Sequence, residues 1–357
     1  MNDEPEINLR RTIMPGNYRI GDRFAGRRVV TIGGGSGTFS LLSHIKKYPF
    51  KISAIVTMSD SGGSSRMLMD EFRRQLPLGD LRMSLVALAR NGALWREVFM
   101  HRFERTEDSD GAQQNKGGVG GHNLGNLIIK GLQDINNGEL LLALEDAQEM
   151  LNTAGRVLPV TLANTMICAE LEDSTTICGE TEIDTRGKKN PGPLSPIVRL
   201  HMEPVDAPAC SPAVRAIRRA DTIIIGPGDL YTSLLPNFLV REIARAVRES
   251  EAEKVYICNL MTKHGETDGY KASDFVNAIH QYLGGRVDRV IVNDGPFLPE
   301  VLKTYAEEKS EPVVADRARL MRLVPNVVIG HLNLEDDTLA RHDPERLVQA
   351  IYPAEGL

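Results

Sequence analysis

The chain has 357 residues, which at about 150 residues per domain allows one large domain or two of ordinary size. With 42 basic against 48 acidic residues the net charge is −6, so the basic surplus expected of a nucleic-acid binder is missing. Hydrophobic residues at 41% and charged residues at 25% exclude bulk disorder, collagen and coiled coil.

The first residues carry Asp3, Glu4 and Glu6 ahead of Arg10 and Arg11 with no apolar stretch behind them, so no signal peptide is expected. Residues 1–26 read as a loosely held N-terminal arm, and 27–357 as a single α/β domain. Arg28 to Ile32 is a β-branched run stopped by Gly33, and Thr38 to Lys47 carries apolar residues at helical spacing until Pro49. Lys51 to Met58 makes a second strand that runs into Ser59, Asp60 and Ser61, completing a βαβ unit. Residues 64–75, 80–90, 94–103, 123–136 and 139–151 read as helices, interrupted by a polar, glycine-rich segment from Glu104 to Gly121. Val157 to Leu162, Thr165 to Leu171, Thr175 to Cys178 and Ile197 to Leu200 read as short strands of an antiparallel meander, an insertion around 157–200. From Ala213 strands ending at Ile225, Asn259 and Asn293 alternate with helices near 234–249, 273–282 and 297–308. That rhythm belongs to a Rossmann-like, mostly parallel sheet with helices on both faces.

Ligands of such sheets bind beyond the carboxyl ends of the strands, so the residues just past each strand are informative. After the first stand Gly33, Gly34, Gly35, Ser36, Gly37 and Thr38, opening a helix. Glycines let backbone approach a ligand and a helix N-terminus offers N–H groups to an anion, which together make a phosphate cradle. It is not a Walker A loop, and Thr38 stands where a dinucleotide fingerprint has its third glycine. Asp60, 23 residues beyond Gly37, suits a ribose hydroxyl, an Mg²⁺ ion or a helix cap, and Ser61, Gly62, Gly63 and Ser64 continue its loop. Pro77 to Arg82 combines a turn, the acid Asp80 and the cation Arg82. Gly121, His122, Asn123 and Asn126 place glycine and hydrogen-bonding side chains at another helix start. Gly226, Pro227, Gly228, Asp229, Thr232 and Ser233 form a second phosphate-type loop, and Asn259 leads into Met261 to Thr267. This convergence points to a nucleotide site. Cys168, Cys178, Cys210 and Cys258 are too few for a disulfide framework and read as reduced core residues, in keeping with a cytoplasmic protein. His101, His201, His331 and His342 show no metal spacing, and no run of 18 apolar residues suggests a membrane span.

Six ordered motifs, at 33–38, 59–65, 79–82, 121–127, 226–233 and 259–262, resemble the YvcK-like gluconeogenesis factors of the 2-phospho-L-lactate transferase (CofD) superfamily. The resemblance spans roughly residues 28–310. It implies a CofD-like fold, a cytoplasmic location, binding of UDP-N-acetylglucosamine and a role in cell shape during gluconeogenic growth. On this expectation the loops at 33–37 and 226–228 hold the diphosphate, Asp60 meets ribose or a metal, and the 121–126 segment meets sugar or base. The alternative is an Mg²⁺-dependent phosphotransferase with Asp60 and Asp229 as metal ligands and Arg82 neutralising phosphate. An NAD-type dinucleotide enzyme is a third alternative, disfavoured by the imperfect fingerprint. Turnover, a protein partner and homo-oligomerisation are left open.

Overall fold

Apolar runs buried from both sides build the centre of the molecule. In the strands β1 (Arg28–Ile32), β7 (Thr222–Ile225), β8 (Glu253–Ile257) and β9 (Arg289–Asn293), only the first residue of β1, β8 and β9 escapes burial. Such continuous burial fits strands covered by helices on both faces. The computed structural model describes residues 24–58, 78–104, 119–190, 192–335 and 338–353. Among these, β1, β2 (Lys51–Val56), β3 (Gly155–Pro159), β7, β8, β9 and β10 (Asn326–Gly330) form one seven-stranded sheet in the order β10-β9-β8-β7-β1-β2-β3. Every pairing in it is parallel.

The chain starts in the middle and works outwards to β3, then returns to the other side of β1 with β7. Strand order therefore reverses between β1 and β7, whose ends stay level because Ile32 pairs with Ile225. A reversal of this kind splays the two connections apart and opens a crevice at the strand ends. The helix Gly35–Ile45 leaves from β1 and is packed between the helices Gly79–Leu88 and Pro344–Ile351.

The parallel sheet matches the expected fold class, with one change of partner and one strand, β10, beyond those expected from the sequence. Val157 to Leu162 is expected in the antiparallel meander, but β3 pairs with β2 instead, Gly155 opposite Ile52 and Pro159 opposite Val56. A short apolar run does not say which neighbour it will join, and here the helices before it form a crossover back to the sheet. The other three expected strands do form the small antiparallel sheet, in the order β5 (Thr176–Cys178), β4 (Met166–Leu171) and β6 (Ile197–Glu203).

Between β5 and β6 lies a helix, Glu180–Lys189, in a stretch that reads as polar turns. It lacks an apolar stripe, since only Ile183 and Arg186 are buried. Its charges nevertheless mark it: Glu180 and Glu182 in the first turn and Arg186, Lys188 and Lys189 in the last complement the helix dipole. The helix expected near 234–249 is broken, a π-helical turn Leu230–Leu234 leading into Leu235–Leu239 and then Arg241–Glu249. Cys168 and Cys178 form a disulfide across β4 and β5, which corrects the expectation of four reduced cysteines; Cys210 and Cys258 are free and buried. Partners separated by 10 residues in sequence become opposite neighbours only once the hairpin is made. No helix of the described residues is long and apolar enough to cross a membrane.

Two glycines should respond to alanine with opposite signs. A Cβ on Gly155 would lie 2.8 Å from the Ile52 carbonyl oxygen, whereas one on Gly131, inside the helix Leu124–Ile135, meets nothing within 4 Å. Urea unfolding should show Gly131→Ala gaining about 0.5–1 kcal/mol and Gly155→Ala losing stability. Equal effects would contradict the β2–β3 pairing.

Candidate functional site

The two loops that leave β1 and β7 are locked to each other. Thr38 sits in the first turn of the helix Gly35–Ile45, and its hydroxyl donates to the Pro227 carbonyl at 3.0 Å. A Cβ on Gly37 would come within 2.9 Å of that same oxygen, so only glycine lets the helix start approach the second loop. Asn259, just past β8, donates its amide to the Gly228 carbonyl at 2.9 Å and holds the loop from the other side. The result is a cleft of about 720 Å³ floored by both glycine loops. Gly34, Gly35, Ser36 and Gly37 line it from one side, and Pro227, Gly228, Asp229 and Ser233 from the other.

The helix N-terminus already has an anion. No side chain of its own caps it, but Asp80, from the start of the helix Gly79–Leu88, accepts from the Gly35 N–H at 3.0 Å. A Cβ on Gly34 would collide with the same carboxylate. One turn of unpaired N–H groups has thus recruited a carboxylate, which a phosphate oxygen would have to displace or share. Asp80, Arg82, Thr232 and Thr57 line a smaller cavity of about 280 Å³, which shares Gly35, Asp229 and Ser233 with the main cleft.

Across the cleft Lys263 is held by three carboxylates. Its ammonium pairs with Asp184 from the Glu180–Lys189 helix, with Asp229 at 2.8 Å and with Glu266 at 2.9 Å. Burial alone would lower its pKa, but the surrounding carboxylates outweigh that and hold it above the ordinary range. Burial pushes the carboxyl of Glu266 up to about 8 against the pull of Lys263. Lys263 and Glu266 belong to the polar segment that the sequence marks after Asn259. Asp184 carries no comparable signal, because it arrives from the small-sheet region. Tyr305 and Arg341 also reach the cleft from far along the chain.

The remaining expected residues fall in three places. Gly33, Thr38 and Gly226 lie behind the cleft as loop supports, with Gly33 and Gly226 at positive φ. His122, Asn123 and Asn126 are buried where the helix Leu124–Ile135 begins, against Arg82 by way of Gly125. Asn123 accepts from the Asn126 N–H at 3.2 Å as that helix's N-cap, and none of the three lines either cavity. Asp60, Ser61, Gly62, Gly63 and Ser64 lie outside the described residues, and with them the Mg²⁺ ligand expected at Asp60. Among the described residues the cleft holds no three histidine, cysteine or carboxylate groups with ligand atoms within 4.8 Å of one another.

Glu266 should leave a trace in the pH dependence of stability. The folded state holds its proton to about 8 while an unfolded glutamate releases it near 4.5, so the stability that Glu266 contributes is fully present below 4.5 and is lost as pH rises through about 8. In Glu266→Gln, melting temperature recorded against pH should fall less across this window. An unchanged slope would show that Glu266 does not titrate there.

Comparison with known proteins agrees with this architecture. The family described as 2-phospho-L-lactate transferase CofD matches residues 29–332. The gluconeogenesis factor of Halalkalibacterium halodurans is 41% identical over 326 residues, covering 91% of this chain and 95% of its own. That of Bacillus subtilis is 36% identical over 325 residues, covering 91% and 96%. A crystal structure of protein BH3568 from Bacillus halodurans superposes with a TM-score of 0.82 at 40% identity, covering 91% of this chain and 99% of that one. Matched over that span, the chain belongs to the CofD family and, within it, stands with the proteins named gluconeogenesis factor.

Proposed function

We propose that this chain is a nucleotide-sugar-binding regulatory factor that takes UDP-N-acetylglucosamine in the cleft between its two glycine loops. On this reading it acts in the cytoplasm, supporting cell shape during gluconeogenic growth. The observation that carries it is the junction of the loops, with Thr38 bonded to Pro227 at the reversal of strand order. This is where open parallel sheets bind nucleotides, and the cleft of about 720 Å³ lies within the roughly 300–1,000 Å³ typical of small-molecule sites.

The chemistry of the lining supports a diphosphate at the floor. Backbone N–H groups and the hydroxyls of Ser36 and Ser233 are hydrogen-bond donors suited to phosphate oxygens, and Lys263 supplies a cation at the edge. Asp80, Asp184 and Asp229 make the surroundings acidic, so a divalent cation such as Mg²⁺ accompanying the diphosphate lowers the repulsion. The names of the relatives support the regulatory part of the reading.

In a thermal-shift titration UDP-N-acetylglucosamine should raise the melting temperature, with a larger rise in Mg²⁺ than in chelator, while free N-acetylglucosamine should not. Gly37→Val, whose side chain forces the loops apart at Pro227, should remove the shift. Equal stabilisation by the free sugar, or a full shift in Gly37→Val, would overturn the reading. A transferred phosphorus group detected by ³¹P NMR on mixing with candidate acceptors would favour a transferase instead.

A further inference from the structure

The small antiparallel sheet gathers metal-ligand chemistry on its outer face, away from the cleft. Side chains alternate along a strand, so Ile167, Ala169, Leu200 and Met202 point into the core, and Cys168, Glu170, His201 and Glu203 share the opposite face. The register sets Cys168 directly between Cys178 on one neighbour and His201 on the other, with Glu203 two residues along from His201. The Cys168 sulfur, a ring nitrogen of His201 and a carboxylate oxygen of Glu203 all lie within 4.8 Å of one another.

From this geometry we infer that Cys168, His201 and Glu203 form a zinc site when the two cysteines are thiols, with Cys178, on the far side of Cys168, swinging in as the fourth ligand once it is released. Two thiolates, an imidazole and a carboxylate are a donor set suited to tetrahedral Zn²⁺. With bonds of about 2.0–2.3 Å, ligand atoms stand roughly 3.3–3.8 Å apart, so the three groups need draw together by only about an ångström. The histidine is oriented for the task. Its Nε2 faces Glu203 Oε1 at 3.8 Å, and its Nδ1 faces Glu170 Oε1 at 3.4 Å. A carboxylate that accepts from the far nitrogen of a ligating ring holds its tautomer and raises its basicity; Nδ1 makes no hydrogen bond in the disulfide form, so Glu170 takes this positioning role when the ring turns onto the metal. Glu203 is exposed and Cys168 fully buried, so the ion would enter from the solvent side.

The disulfide seen between Cys168 and Cys178 excludes the metal, because Zn²⁺ needs thiolate sulfur and a disulfide sulfur carries no negative charge. A phosphine reductant supplies two electrons: it breaks the S–S bond, one water gives two protons to the sulfurs and its oxygen to phosphorus, and two thiols and a phosphine oxide result. Zinc binding then releases both thiol protons to solvent.

Full-length protein, either reduced with a phosphine and desalted without oxygen or left oxidised, is equilibrated with Zn²⁺ and washed. Bound metal is then counted by mass spectrometry. About one equivalent is expected in the reduced chain and none in the oxidised chain. Co²⁺ in the reduced chain should give a thiolate charge-transfer band. Glu203→Gln, an exposed change that spares the fold, should weaken zinc at least tenfold against a competing chelator, and Glu170→Gln by about 10–100-fold. Metal retained by the oxidised chain or by the Cys168→Ser, Cys178→Ser double variant overturns the proposal. So does a reduced wild type without stoichiometric zinc, a cobalt complex without the thiolate band, or an unchanged affinity in Glu203→Gln.

Discussion

The reversal of strand order between β1 and β7 is the constraint on which the cleft depends. Among the described residues it is there that two neighbouring, level strands send their connections apart, leaving room at their ends. Such room is useful only if its walls are backbone rather than side chain. The glycine at 37 and the hydroxyl at Thr38 meet this need together, one permitting contact with Pro227 and the other bonding to it. Asn259 extends the same device to the next strand. Three successive strand ends of the sheet, those of β1, β7 and β8, are thereby tied into one surface.

Electrostatics give this surface its character. A helix N-terminus aimed into a cavity attracts an anion, and Asp80 provides one from within the chain. Lys263 likewise finds Asp184, Asp229 and Glu266 rather than standing unpaired in a half-closed cleft. Moving such groups out of water is costly unless they are paired, and removing one partner leaves the other charge stranded. The cleft therefore binds its own ions in the absence of any other. On the proposed reading a phosphate would reach Gly35 only by competing with a carboxylate already in place, which makes binding an exchange of partners.

The small sheet contributes to the cleft from a distance. Its helix Glu180–Lys189 carries Asp184 to Lys263, while Arg186 donates to the Gly265 carbonyl at 2.8 Å in the same segment. Its outer face is independent of that contact and holds the Cys168–Cys178 row. One small element thus has an inner edge that completes the cleft and an outer face with separate chemistry.

Much of the fold is legible in the sequence, because buried parallel strands leave continuous β-branched runs and glycine loops mark where backbone must come close. The runs at 28–32 and 222–225 and the loops beyond them need no tertiary information. By contrast, the partner of β3 comes from the crossover before it, and the helix Glu180–Lys189 from dipole-matched charges without an apolar stripe. The site divides the same way. Local motifs locate the two glycine loops, but Asp184 comes to Lys263 over 79 residues and Asp80 to Gly35 over 45. Such pairings depend on how helices pack, and no spacing along the chain encodes them. Propensity and backbone sterics act within a few residues, so the central strands and glycine turns can be read locally, whereas the edge strand β10 passes unmarked and the meeting of charges such as Lys263 with Asp184 depends on contacts between distant segments.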